Sequence, residues 1–326
     1  MGHRWLLVVA LAGCFSSKPV APTPPPSNVT AAPKPLTRKH SVTVADPLGF
    51  LPIDSEMVFH LDMGRLRKSA VWQQYEPKLL EAASLALTQM KNSCGVNPIS
   101  GLRTIRAGFK DFGNGGKPAG VMVVTGLDGE RLLACVASTK SPSAKLAIDG
   151  NVVIGTGTDG QPFALELVDA STIVAVVGPN TDRARLDEVV NGGAPLRNSA
   201  VFNEIFGTIN TQGALWFTVN GNAKAFDGAR ASGFGFNALF GSVGLVDGLS
   251  ASVRMRVGSP AAASQMATMI TSQVGMAKSF VDRLDISADA NDIVFELGMT
   301  DAQINAILGM AGLGGGGPSL IPQPTP

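Results

Sequence analysis

The sequence predicts an α+β fold built from two repeated modules, with largely antiparallel sheets and helices packed on one face. Three observations predict it. A pattern of strand, glycine, capping residue and helix occurs four times, as VMVVTGLDGERLLACV, TIVAVVGPNTDRARLDEVV, VRMRVGSPAAASQMATMI and IVFELGMTDAQINAIL. Asp-Gly pairs at 149–150 and 247–248 separate apolar runs, which marks tight hairpins and antiparallel pairing. LRKSAVW at 66–72 returns as LRNSAVF at 196–202 with five of seven positions identical, so a duplicated unit is expected.

The elements follow in order. Arg4 precedes a short apolar run, 5–11, and then small residues, the three-part grammar of a secretory signal peptide. The run is too short for the roughly 20 residues that span a bilayer. Leu11-Ala12-Gly13-Cys14 resembles the lipobox of bacterial lipoproteins at all four positions. That resemblance implies removal of residues 1–13, a diacylglyceryl group on the Cys14 thiol and acylation of its amine, hence a membrane anchor. Phe15 follows the cysteine where an aspartate would favour the inner membrane, so the family pattern implies the outer membrane. Residues 14–50 then read as a tether: Pro19, Pro22, Pro24, Pro25, Pro26, Pro33 and Pro35 fix φ, remove N–H donors and keep the chain extended.

Module A is expected over 51–190 and module B over 191–312, with 313–326 a disordered Gly/Pro tail. SEMVFHLDM alternates, placing Met57, Phe59, Leu61 and Met63 on one strand face and Val58, His60 and Asp62 on the other. Trp72, Tyr75, Leu79, Leu80, Ala83, Leu87 and Met90 share a helical face, with Pro77 an expected kink or break. Asp128, Asn180 or Thr181, Ser259 and Thr300 are the expected N-caps, Thr300 forming a capping box with Gln303. Met266, Met269, Ile270, Val274, Ala277, Phe280, Val281 and Leu284 make a broad apolar stripe, read as core. The module layout, FLPIDSEMVFHLDMGRLRKSAVW and CGVNP at 94–98 resemble uncharacterised duplicated α+β lipoproteins of bacterial envelopes. The resemblance implies a location and a fold, and carries no functional residues over.

Charge excludes one class of partner. The chain has 26 Lys+Arg against 25 Asp+Glu, and loss of residues 1–13 would remove Arg4 alone. A neutral chain lacks the basic footprint that nucleic-acid binding requires.

The search for chemistry finds little. Cys94 and Cys135 are the two cysteines left after Cys14, and in an oxidising compartment an even count favours a disulfide, with two buried thiols the alternative. His60 reads as a solvent-facing or half-buried strand residue. No HExxH or Cys/His cluster is present, so no metal or cofactor is expected. GTGTDG at 155–160 matches G-x-G-x-x-G, but QPFALELV follows it, so it reads as a hairpin loop rather than a dinucleotide site. GNGGK at 113–117 is followed by Pro118 and lacks the helix of a phosphate loop. DISADAND reads as an exposed turn. AFDGARASGFGFNALFG places Phe226, Phe234, Phe236 and Phe240 among glycines, either an apolar contact loop for a ligand, partner or lipid, or core.

The expectation is a lipid-anchored envelope protein without catalysis, held to the membrane through Cys14 and acting as a binding or scaffolding component toward an envelope partner. A carrier holding an apolar small molecule between the two modules, and an enzyme with a dispersed site, are the alternatives.

Overall fold

A computed structural model describes residues 46–82, 87–88, 91–92, 95, 97–111, 119–138, 146–157, 160–231, 235–275 and 277–310. Cys14, Cys94, Phe234 and the tail therefore lie outside the described residues. The first described segment begins earlier than residue 51. Asp46 caps a 3-10 turn, Pro47–Phe50, and Leu48, Phe50 and Leu51 are buried, so residues 46–50 lie in the described fold.

The described chain divides into two compact units that interleave: 46–61, 78–207 and 223–225 form unit 1, while 62–77, 208–222 and 226–310 form unit 2.

In unit 1, β1 (Met57–Asp62) leads toward α1 (Ala70–Ala82), which crosses the unit boundary, and then to β2 (Thr104–Lys110) and β3 (Ala119–Thr125). Then follow α2 (Gly129–Ser138), β4 (Leu146–Asp149), β5 (Val152–Thr156), β6 (Pro162–Leu167), β7 (Thr172–Val177), α3 (Arg183–Val190) and α4 (Ala200–Phe206). The strand order is β1-β2-β3-β7-β6-β5-β4. Pairing from β2 outward is antiparallel throughout. Gly150 and Gly160 adopt φ of +62° and +76° in the two hairpin turns, so GTGTDG ends a strand as expected. The core gathers Val124, Leu127, Leu132, Leu133, Val153, Leu167 and Ile173, which places α2 over β3, β5 and β7.

In unit 2, β8 (Leu215–Asn220), β9 (Ala238–Gly244) and β10 (Leu249–Arg256) precede α5 (Pro260–Gln273), β11 (Arg283–Asp289), β12 (Asp292–Met299) and α6 (Asp301–Met310). The order is β8-β9-β10-β12-β11, again antiparallel. Ala263 and Ala267 of α5 pack with Val257 and Ile293, joined by Met255, Met266, Ile286 and Phe295. The broad stripe of the sequence is narrower in the fold. Met269 and Phe280 are exposed, and the helix ends at Gln273, so Leu284 falls in β11.

The four strand-to-helix junctions are β3–α2, β7–α3, β10–α5 and β12–α6. Asp128, Ser259 and Thr300 cap as predicted, Thr300 with Gln303 as a reciprocal pair. Asp182, rather than Asn180 or Thr181, caps α3 by accepting from the Arg185 N–H at 2.8 Å. Pro77 lies inside α1 and does not end it, although a proline there forfeits one helical hydrogen bond and crowds the carbonyl four residues back. His60 is buried, contrary to expectation, because Val58, Phe59 and His60 are covered on both faces of β1.

Candidate functional site

A cavity of about 470 Å³ lies entirely within unit 1. Its base is one end of three neighbouring strands. Antiparallel pairing brings the exit of β2, the start of β3 and the exit of β7 to the same level, through Gly108↔Val121, Lys110↔Ala119 and Val121↔Val176. Helix α3 supplies Arg185, Glu188 and Val189, and the turn before it supplies Asn180 and Thr181.

The remaining wall is a strap, residues 46–55. The Ile53 N–H donates to the Ala194 carbonyl (2.9 Å), and the Leu196 N–H donates to the Leu51 carbonyl (2.6 Å). Pro52 and Pro195 form an isolated antiparallel bridge between them. Arg197 closes the strap with an ion pair to Asp46 at 2.6 Å and lies 4.8 Å from the Phe206 ring centre. The Glu56 N–H then donates to the Phe109 carbonyl, tying the end of the strap to β2.

Two glycines allow this close approach. A Cβ on Gly108 would stand 2.5 Å from the Ser55 Oγ and 3.2 Å from its Cβ, so glycine here leaves room for the strap against β2. Gly178 has φ of +134°, and its Cβ would fall 2.7 Å from that of Ala119. Gly49 is the opposite case: it lines the cavity, and a Cβ there would meet nothing within 4 Å.

The rim carries charge of both signs. Lys110 pairs with Asp54, with Asp111 next in the chain, and Arg185 pairs with Glu188 at 2.6 Å. The strand ends beneath, Val121 and Val176, are buried and apolar.

Unit 2 holds a second polar constellation. Arg256 binds Asp292 through Nε and Nη2 at 2.8 and 3.2 Å, and Asp292 is only 4% exposed. Arg254 reaches Asp289 at 2.8 Å, and the Arg256 guanidinium lies 5.4 Å from the Phe240 ring centre. The registers Arg256↔Asp292 and Ser252↔Glu296 make this a cross-strand polar ladder, in which the Ser252 hydroxyl donates to the Glu296 carboxylate. DISADAND is therefore not uniformly an exposed turn. Ala290 turns the chain at φ of +50°, Asp285 and Asp289 stay exposed, and Asp292 is buried.

The predicted site residues fare unevenly. Phe236 and Phe240 are buried, Phe240 completely: β9 starts at Ala238 and carries Phe240 inward. Phe226 is half-buried, with its ring centre 4.4 Å from that of Phe236. Cys135 is buried on α2, and its expected partner lies outside the described residues. No group of three or more potential metal-ligating side chains occurs among the described residues. No helix among them is long and apolar enough to cross a membrane. Sequence reasoning missed the cavity and the Arg256–Asp292 pair. The alternation Arg254–Met255–Arg256, with aspartates at both ends of the β11–β12 turn, was the available signal for the pair.

No family model matches the chain, and no curated protein matches it. Among solved structures, crystal form III of TP0453 is similar, at a TM-score of 0.52 and 9% identity, over 81% of this chain and 98% of that one. At that identity the likeness is one of fold.

Proposed function

We propose that this chain is a lipid-anchored component of a bacterial cell envelope, held at the outer membrane through acylated Cys14, and that it works by binding rather than by catalysis. The cavity in unit 1 carries the binding part of this reading: about 470 Å³, shaped by paired strand ends and roofed by the strap. Cavities of roughly 300–1,000 Å³ are typical of small-molecule sites. The anchoring part rests on Leu11-Ala12-Gly13-Cys14. Duplication of an α+β module is supported by strand order. With β4 and β5 set aside, β1-β2-β3-β7-β6 and β8-β9-β10-β12-β11 follow the same path, with helices after the third and last strands.

Native mass spectrometry of the full-length protein, gently extracted from its membrane, tests the proposal. A small bound mass that disappears in Gly49→Trp, whose indole would fill the cavity, is the expected result. A bare acylated protein overturns the ligand, and a copurifying protein in its place favours scaffolding. Cys14→Ser moves the protein to the soluble fraction; persistence at the membrane overturns the anchor.

A further inference from the structure

We infer that the unit 1 cavity takes a small zwitterion, an amino acid or short peptide with a free amino group and a free carboxylate. The inference rests on the binding reading above and deepens it. The two ends of the rim differ in charge. Where the strap meets β2, Asp54 and Asp111 line the cavity beside Lys110, which pairs with Asp54, so among the described residues this end holds two carboxylates and one ammonium. At α3 the Arg185 guanidinium is balanced by Glu188, and the Asn180 amide and Thr181 hydroxyl add donors. Between the ends lie Val121 and Val176, which bring no charge.

An ammonium is attracted to the end with excess carboxylate, and a carboxylate to the end that offers a guanidinium, an amide and a hydroxyl. A guanidinium presents a planar fork that matches a carboxylate. A ligand that is only an anion meets carboxylates at both ends, and a wholly apolar one makes no use of the rim charges. The resident ion pairs do not obstruct exchange. Side-chain exposures are 36% and 56% for Lys110–Asp54 and 33% and 53% for Arg185–Glu188. Pairs so exposed are held weakly and trade partners at small cost. The Arg256–Asp292 ladder in unit 2 differs, because its charges are more deeply buried and already bound to each other.

The test is isothermal titration of the detergent-extracted full-length protein with four probes: trialanine, its N-acetyl form, its C-terminal amide and the doubly blocked peptide. Unblocked trialanine binds, and each block weakens it about tenfold or more, the loss expected of one charge-assisted hydrogen bond. Arg185→Gln abolishes the difference between acid and amide. Asp111→Asn shrinks the difference between free amine and acetyl. Thermal melting confirms that both variants are folded. Equal binding of the unblocked and doubly blocked peptides overturns the inference. Failure of all four probes, while the native extract still holds a small mass sensitive to Gly49→Trp, overturns the zwitterion and leaves the cavity's binding role standing. Failure of the probes together with a bare extract overturns both.

Discussion

Leu51→Ala and Arg197→Gln both attack the strap, and their relative cost shows what holds it down. Leu51 has no exposed area. Removing such a side chain costs about 2–5 kcal/mol, through lost transfer energy and the cavity left behind. Arg197 and Asp46 are 37% and 44% exposed, so their ion pair contributes about 0.2–1 kcal/mol. The guanidinium over Phe206 adds about 0.5–1 kcal/mol. The two parts of the clasp together reach about 0.7–2 kcal/mol, so apolar burial outweighs it, and Leu51→Ala should destabilise more than Arg197→Gln, by about 2 kcal/mol at the middle of both ranges. Urea unfolding followed by far-UV circular dichroism measures both, with slopes compared to check that the denatured state is unchanged. Hydrogen exchange adds a local reading. The Ile53 and Leu196 amides, which bridge strap and loop, should open in Leu51→Ala and stay protected in Arg197→Gln. An equal or larger loss in Arg197→Gln, or a cost below about 1 kcal/mol for Leu51→Ala, would refute the assignment of the strap to the core.

Asp292→Ala should cost about 3 kcal/mol in equilibrium denaturation, because it removes the buried carboxylate that the Arg256 guanidinium binds through Nε and Nη2. Adding Arg256→Met should return part of that loss, and a double variant as unstable as the sum of the singles would contradict the coupling. Burial pushes the Asp169 carboxyl up, but hydrogen bonds from Ser171 and Thr172 outweigh it and hold the group below 3.8. A carboxylate depressed in this way stabilises the fold above its unfolded value of about 3.9 and loses that contribution as pH falls through the folded value. Asp169→Asn should accordingly destabilise more at pH 6 than at pH 2.5, and an equal loss at the two pH values would exclude the ionised group as the cause.

The fold was legible where its signal is local. Each strand-to-helix junction announces itself within about twenty residues, and so do the Asp-Gly turns. The LRKSAVW/LRNSAVF match marks a real local structure. Ser69 and Ser199 each accept from the N–H three residues on, at 3.0 and 3.2 Å. Gln73 and Asn203 each donate to the carbonyl six residues back, on Arg67 and Arg197. The sequence did not reveal where those copies reside: the first belongs to unit 2 and the second to unit 1. The cavity was illegible because its walls come from separated stretches, and register alone brings Gly108, Val121 and Val176 to one level. His60 was misread for a related reason. Alternation reports which residues share a face, while burial depends on what covers that face, and β1 is covered on both sides at its centre.

The strap is also the point where load would enter the protein. Any tension on the chain preceding residue 46 first meets the Arg197–Asp46 clasp, then the Leu51–Leu196 and Ile53–Ala194 hydrogen bonds, and only then the sheet. Leu51, Ile53 and Ala194 line the cavity as well, so a pull that peels the strap also opens the cavity. Under the proposed anchoring, such a protein would yield its contents to mechanical work, with residence time falling as the membrane and the folded part are drawn apart.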